Sequence, residues 1–318
     1  MEYSIENRYL KIDVLSTGAT LKRFIYKPLN RNIILTHSDD LYYKSSQYGF
    51  LGATVGRVGG RISKSKIVIN GVTHNLKSKS STFLHSGEGC FSFKEFELVS
   101  QTKTSLVLSL QTTKDASFPG TFNLKVYYYL HSDSLYIKYS YYCDEDTIAN
   151  IINHAYFNLS NESNIHNHEL LIHSSKFQEV DNNLVPTGKN LDVKLLGISD
   201  SNYSSLGEIL KTSKKNKFNG VDNFFFLNNN NKEHINEIGL RTNELELRIK
   251  TSYPGINIYT TNMPSNTKLE NGVLSLEKGI ALEPQYPNDA YNLGLGTLIN
   301  KNTVYTNYSE YKIKKRDK

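Results

Sequence analysis

An all-β fold, an antiparallel sandwich with few or no long helices, is predicted by three features of this sequence. Apolar residues alternate with polar ones again and again, as at Leu106, Leu108 and Leu110 or at Leu245, Leu247 and Ile249, which is the period of a strand with one buried face. Hairpin signals separate such runs. Asn70-Gly71 stands between Ile67 and Ile69 on one side and Val72 on the other, and an Asn-Gly pair is favoured there because both turn positions take positive φ. Ser132-Asp133-Ser134 separates the aromatic-rich runs FNLKVYYYL and LYIKYSYY. Long helical periodicity is hard to find, and many short strands with turn signals about ten residues apart fit a sandwich.

With 318 residues, the chain is about twice the usual ~150 per domain, so one large β domain and two ordinary ones are both open. No stretch has the composition of an interdomain linker, and no internal repeat is visible. Asn228 to Asn231 is the richest low-complexity run, and it reads as a loop tip between strands. A single domain over 1–318 is therefore expected. An apolar content of 38% with 11% aromatics is enough to build a core. Tyr supplies 22 residues and Trp none, so any aromatic platform for a ligand is Tyr or Phe.

The net charge of +6 would suit a nucleic-acid partner, but the last eight residues, YKIKKRDK, hold five basic groups and one acidic, leaving the body nearly neutral. Lys211, Lys214, Lys215 and Lys217 lie in a polar stretch and read as a solvated loop. Without a basic face carrying interleaved aromatics, no nucleic-acid partner is expected. No apolar run approaches the roughly 18 residues that span a bilayer, and Met1 to Thr20 lacks the pattern of a signal peptide, so no membrane association and a cytoplasmic location are expected. Cys90 and Cys143 form neither a disulfide framework nor a metal knuckle and are expected as free thiols.

Four segments keep polar residues inside apolar, strand-like surroundings, where burial is costly unless they bond to something: GATVGRVGGRI (52–62), FLHSG (83–87), NHAYFNLS (153–160) and ALEPQYPNDAYN (281–292). Arg57 and Arg61 flank a Gly-Gly pair and either brace a tight turn or contact a ligand; as a phosphate loop the segment lacks the helix start such loops use. A lone histidine such as His85, at a strand end, is more often a satisfied structural residue than a catalytic one. His154 sits among Ile151, Ile152, Ala155, Tyr156 and Phe157, and an imidazole can act as acid or base near neutral pH. Glu283 ends the apolar run Ile280-Ala281-Leu282, so its carboxylate needs a cation, donors or a substrate proton. His166, His168 and His173 make only a weak metal pattern. There is no GxSxG elbow and neither cysteine has a histidine nearby in sequence, which disfavours covalent catalysis.

Taken together and in this order, the four segments resemble the aldose 1-epimerase (galactose mutarotase) family. The resemblance runs from Thr17-Gly18-Ala19-Thr20 to Asp289-Ala290, and GRVGGRI, Leu84-His85, NHAYFNLS and LEPQ are jointly specific. Asn219-Gly220-Val221-Asp222-Asn223-Phe224 resembles the family's sugar-binding aspartate segment. The resemblance implies a large twisted β-sandwich with a monosaccharide in a cleft across one sheet, Glu283 as general base and His154 as general acid. It implies that Arg61, His85 and Asp222 hold the sugar, that acid and base flank the hemiacetal, and that no cofactor or metal is needed. Departures from the family pattern are Gly60, where an Asn is common, Tyr253 in place of a Gln, and Pro284 in place of a Thr; they bear on substrate preference. Interconversion of the anomers of a free hexose is the leading expectation. A hexose 6-phosphate substrate and a non-catalytic sugar binder of the same fold are the alternatives, and the oligomeric state is left open.

Overall fold

The computed structural model describes residues 1–45, 49–78, 82–113, 117–160, 162–228, 237–296 and 298–316. Alternation sorts the strands into layers. In Phe122–His131 the even-numbered residues Phe122, Leu124, Val126, Tyr128 and Leu130 are buried, and Lys125, Tyr129 and His131 are exposed. Ser134–Cys143 pairs back on it, with His131 opposite Ser134 across the expected turn. The Asn70-Gly71 hairpin also forms: Ile69 faces Val72 and both turn residues have positive φ, 49° and 79°.

These strands belong to two facing antiparallel sheets. The nine-stranded one runs, in spatial order, Glu97–Gln101, Ser105–Thr112, Phe122–His131, Ser134–Cys143, Tyr305–Lys315, Leu245–Thr251, Glu237–Arg241, Glu169–Ile172 and Ser204–Ser205. The six-stranded one runs Tyr156–Phe157, Ile280–Gln285, Gly255–Tyr259, Asp222–Phe226, Lys176–Val180 and Pro186–Asp192. Val126, Ile249 and Ile313 of the first share one buried cluster with Phe177, Phe225, Ile256, Ile258 and Leu282 of the second. Each such side chain contributes roughly 1.5–3 kcal/mol by leaving water, so this shared face makes the sandwich. A four-stranded sheet, Glu2–Glu6 to Arg31–Asn32, adds Leu10, Ile12 and Phe24 to the same core.

One α-helix occurs among the described residues, Leu206–Lys215, its start capped by Ser205 Oγ accepting from Glu208 N–H. It buries Leu206, Ile209, Leu210 and Ser213, the i, i+3, i+4, i+7 stripe of an amphipathic helix. This corrects the reading of the lysine cluster as a loop: Lys211, Lys214 and Lys215 stand on the helix and Lys217 just beyond it. Two turns of apolar stripe are too short to stand out in so polar a segment. Lys211 pairs with Glu208 at 2.7 Å and Lys214 with Glu277 at 2.9 Å. The tip at Asn228–Asn231 falls at residues 229–231 outside the described residues. No helix of the described residues is long and apolar enough to cross a membrane. Cys90 and Cys143 are buried free thiols.

Candidate active site

The side of the six-stranded sheet turned away from the core carries the polar residues, and strand register gathers them. Ile256 and Ile258 point into the core, so Asn257 and Tyr259 point outward; Ile280 and Leu282 do the same for Ala281 and Glu283. Asn257 sits opposite Glu283, and Tyr259 sits between Asp222 on one neighbouring strand and Ala281 on the other. One face therefore holds two carboxylates, an amide and a phenol within three adjacent strands.

Segments from elsewhere in the chain close this face into a cavity of about 240 Å³. His154 arrives from the edge, its backbone clamped by His154 N–H to Ala53 O and Gly52 N–H to His154 O, both 2.9 Å. Its Nε2 lies 3.4 Å from Glu283 Oε1, and both residues are nearly sealed from solvent, 5% and 2% exposed. The rings of Phe50 and Tyr156 stand 5.8 and 5.0 Å from the imidazole. Arg61 enters from the strand Arg61–Ser63, with Nη2 3.7 Å from Asp222 Oδ2. His85 follows the partner strand Thr82–Leu84 and sits 5.4 Å from His154, ring to ring.

Burial sets the protonation of the cluster. The Glu283 carboxyl is pushed well above the ordinary carboxylate range, first by desolvation and then by the nearby Asp222, with Arg61 and hydrogen bonding from Asn257 opposing. Desolvation pushes the His154 imidazole down to about 4. His85 is driven well below its usual value by desolvation, His154 and Arg61 in that order, so it is neutral. Its Nδ1 accepts from Gly60 N–H at 3.1 Å, which leaves the proton on Nε2 as a donor. Asp222 is raised by desolvation against the pull of Arg61 and Asn257. A site of this kind holds a neutral acid beside a neutral base, ready to pass one proton each way.

All five residues singled out from the sequence line this one cavity: Arg61, His85, His154, Asp222 and Glu283. Arg57 does not. It is buried behind the site, donating to Pro119 O at 2.5 Å, Thr147 Oγ1 at 3.1 Å and Gly120 O at 3.3 Å, with Phe122 under its guanidinium. Tyr253 is also in the core, its hydroxyl on Ile151 O, so this departure from the family pattern does not reach the cleft. Pro284 alternates with Glu283 and faces away from it. The three histidines do not converge: His168 accepts from Leu159 N–H at 2.8 Å, His166 meets Glu277 at 2.5 Å, and His173 is half-buried with its Nδ1 3.3 Å from Asp200 O. No group of three or more His, Cys, Asp or Glu among the described residues is arranged to hold a metal. Among the polar cavity residues that the sequence reading did not single out are Asn257 and Asn288. Asn257 had a signal, a polar residue between Ile256 and Ile258 in an apolar strand. Asn288 lay within the singled-out segment 281–292, but nothing in the pattern marked it individually, because its position depends on the turn that follows Gln285.

Comparison with known proteins bears on the family and the fold. The family model described as aldose 1-epimerase matches residues 1–312. The aldose 1-epimerase of Haemophilus influenzae is 29% identical, over 89% of this chain and 86% of that protein, and the galactose mutarotase of Homo sapiens is 27% identical, over 92% and 86%. Among solved structures, the GalM/aldose epimerase homologue from C. elegans superposes with a TM-score of 0.90 at 23% identity, covering 100% of this chain and 99% of that one. The galactose 1-epimerase from Lactobacillus acidophilus NCFM gives 0.87 at 24%, covering 99% and 95%. The sandwich expected from alternation is the fold of these structures, and the chain belongs to the aldose 1-epimerase family of isomerases, which act on sugars.

Proposed function

We propose that the protein interconverts the α and β anomers of a free hexose such as glucose or galactose. The observation that carries this reading is the Glu283–His154 pair, 3.4 Å apart and open to a cavity about the size of one sugar. Passing its proton to His154 Nε2, 3.4 Å away, turns Glu283 into the carboxylate and His154 into the imidazolium; Glu283 then takes the proton of the C1 hydroxyl while His154 Nε2 gives one to the ring oxygen, and the C1–O5 bond breaks. The C1–C2 bond of the free aldehyde rotates, the two proton transfers run backward, and the ring closes on the other face. The step moves the pair between its two neutral-overall forms, carboxylate with imidazolium and carboxylic acid with imidazole, so it consumes nothing. Each positioned group contributes on the order of 10²–10⁴ in rate. His85 Nε2–H is a fixed donor for a sugar oxygen, and the Arg61–Asp222 pair offers a donor and an acceptor to neighbouring hydroxyls.

Among the described residues lining the cavity, Arg61 is the sole cation, and it already faces Asp222. A phosphate would need further cationic partners, so a free sugar is favoured over a hexose 6-phosphate. The test is polarimetry of freshly dissolved α-D-glucose and α-D-galactose with and without the protein. A faster approach to an unchanged final rotation is expected, and the ratio of rates ranks the sugars. No acceleration of either sugar overturns the reading.

A further inference from the structure

The position between Gly59 and Arg61 has no side chain, yet its side-chain space is filled. Gly60 has φ +81°, and a Cβ built there would meet Asn288 Oδ1 at 2.2 Å. The Asn288 amide thus occupies, from a different segment, the volume that a side chain at 60 would take. Asn288 is 4% exposed and lines the cavity. Its backbone is held on both sides by one residue: Asn288 N–H donates to Gln178 Oε1 at 3.0 Å, and Gln178 Nε2 donates to Asn288 O at 3.1 Å. Its Oδ1 accepts from Arg61 N–H at 3.2 Å and from Gln285 Nε2 at 3.4 Å. With Oδ1 so engaged, Nδ2 is left to donate, and it meets Asn257 Oδ1 at 3.1 Å.

That last bond has a consequence for catalysis. An amide that accepts at its oxygen turns its NH₂ the other way; Asn257 faces Glu283 directly across the strand register, with Asp222 one strand over on the same face, and it holds both carboxyl groups down against desolvation. Reversing Asn257 would put a carbonyl oxygen against two carboxyl groups. We propose that Asn288 is a positioning residue of the active site, standing in for a side chain at position 60: it fixes the orientation of Asn257 and so aims a donor at the carboxyl groups of Glu283 and Asp222. This deepens the epimerase reading and rests on it.

The experiment exchanges the amide between the two segments. Asn288→Ala, Gly60→Asn and the double variant are compared with wild type for kcat, KM and the pH–rate profile on the preferred sugar. Asn288→Ala is expected to lower kcat on the order of tenfold through lost alignment, with KM within about threefold. Loss of the aimed donor also favours the protonated Glu283, so the upper limb of the profile moves to higher pH, which a purely structural defect would not do. Gly60→Asn alone is expected to lose activity by collision with the Asn288 amide. Asn is the side chain most readily accommodated at positive φ, so the double variant, with the space cleared, is expected to exceed both singles. Asn288→Asp, nearly isosteric, sets an oxygen against Asn257 Oδ1 and is expected to show the same fall should the alanine variant not fold. Wild-type kcat in Asn288→Ala or Asn288→Asp, or a double variant no better than the worse single, overturns the assignment while leaving an active wild type, and the epimerase reading, intact. An inert wild type defeats both.

Discussion

Lowering the pH from 7 to 5.5 should leave the rate of a histidine-dependent reaction almost unchanged in this protein, and the reason is the burial of His154. An ordinary imidazole, with a pKa of ~6.5, is about 76% neutral at pH 7 and about 9% neutral at pH 5.5, a loss of roughly eightfold. With the imidazole pushed down to about 4, it stays about 97% neutral at pH 5.5 by the same relation. The active pair carries one titrating proton; a second one occupies both Glu283 and His154 and leaves no group to accept the proton of the C1 hydroxyl. The acid limb of kcat/KM should therefore fall near pH 4, not near 6.5. The check is polarimetry at half-unit intervals between pH 4 and 8, each against its own enzyme-free control, with circular dichroism at every point to show that the fold persists. An eightfold decline between pH 7 and 5.5 in a folded protein would refute the argument, because it would mean that the pair takes up its second proton near pH 6.5, as a hydrated imidazole beside a protonated carboxyl would.

Stability should respond to the same burial. His154 and His168 are both lowered to about 4 by desolvation, so above ~6.5 their contribution is complete, and it drains away as pH falls from there toward 4, where the unfolded chain takes protons that the fold refuses. Glu283 and Asp222, raised in the fold, gain stability over the same window, so the histidine contribution is read as a smaller loss of Tm between pH 6.5 and 4 in His168→Gln than in wild type. Glu283→Gln keeps shape and removes the base, so kcat should drop by at least ~10² while sugar affinity, read by isothermal titration, stays close to wild type. His154→Ala should cut kcat similarly; a change confined to KM would make His154 a binding residue instead. Arg57→Met removes donors from Pro119 O, Gly120 O and Thr147 Oγ1 and should cost about 2–4 kcal/mol of stability, seen in denaturant melts, with KM unaltered because Arg57 is outside the cavity.

Local pattern was enough for the layers and for marking candidate residues, while their roles rested on the family resemblance. Period-two alternation in stretches such as Phe122–His131 reports which face is buried, since neighbouring side chains on a strand cannot share a face, and the turn at Asn70-Gly71 follows from the conformational needs of two residues. His154 and Glu283 were legible because a titratable group in an apolar run requires a partner, whatever the fold. The short helix at Leu206–Lys215 was not, because two turns carry too few apolar positions to rise above a polar background.

What only the tertiary structure decided is which polar groups meet. Arg57 and Arg61 are four residues apart and chemically alike, yet one braces carbonyls in the core and the other faces Asp222, a difference set by where the glycine turn between them leads. Asn257 faces Glu283 through strand register, and Asn288 reaches the space above Gly60 across more than two hundred residues of chain. Contacts of that kind depend on long-range pairing and packing, which a single sequence carries only as a sum of many weak preferences. The sequence by itself determined an antiparallel β architecture and marked Glu283, His154 and the polar residues Arg61, His85 and Asp222 as candidates; the packing of the sheets decided which of them meet, at what distances and in what burial.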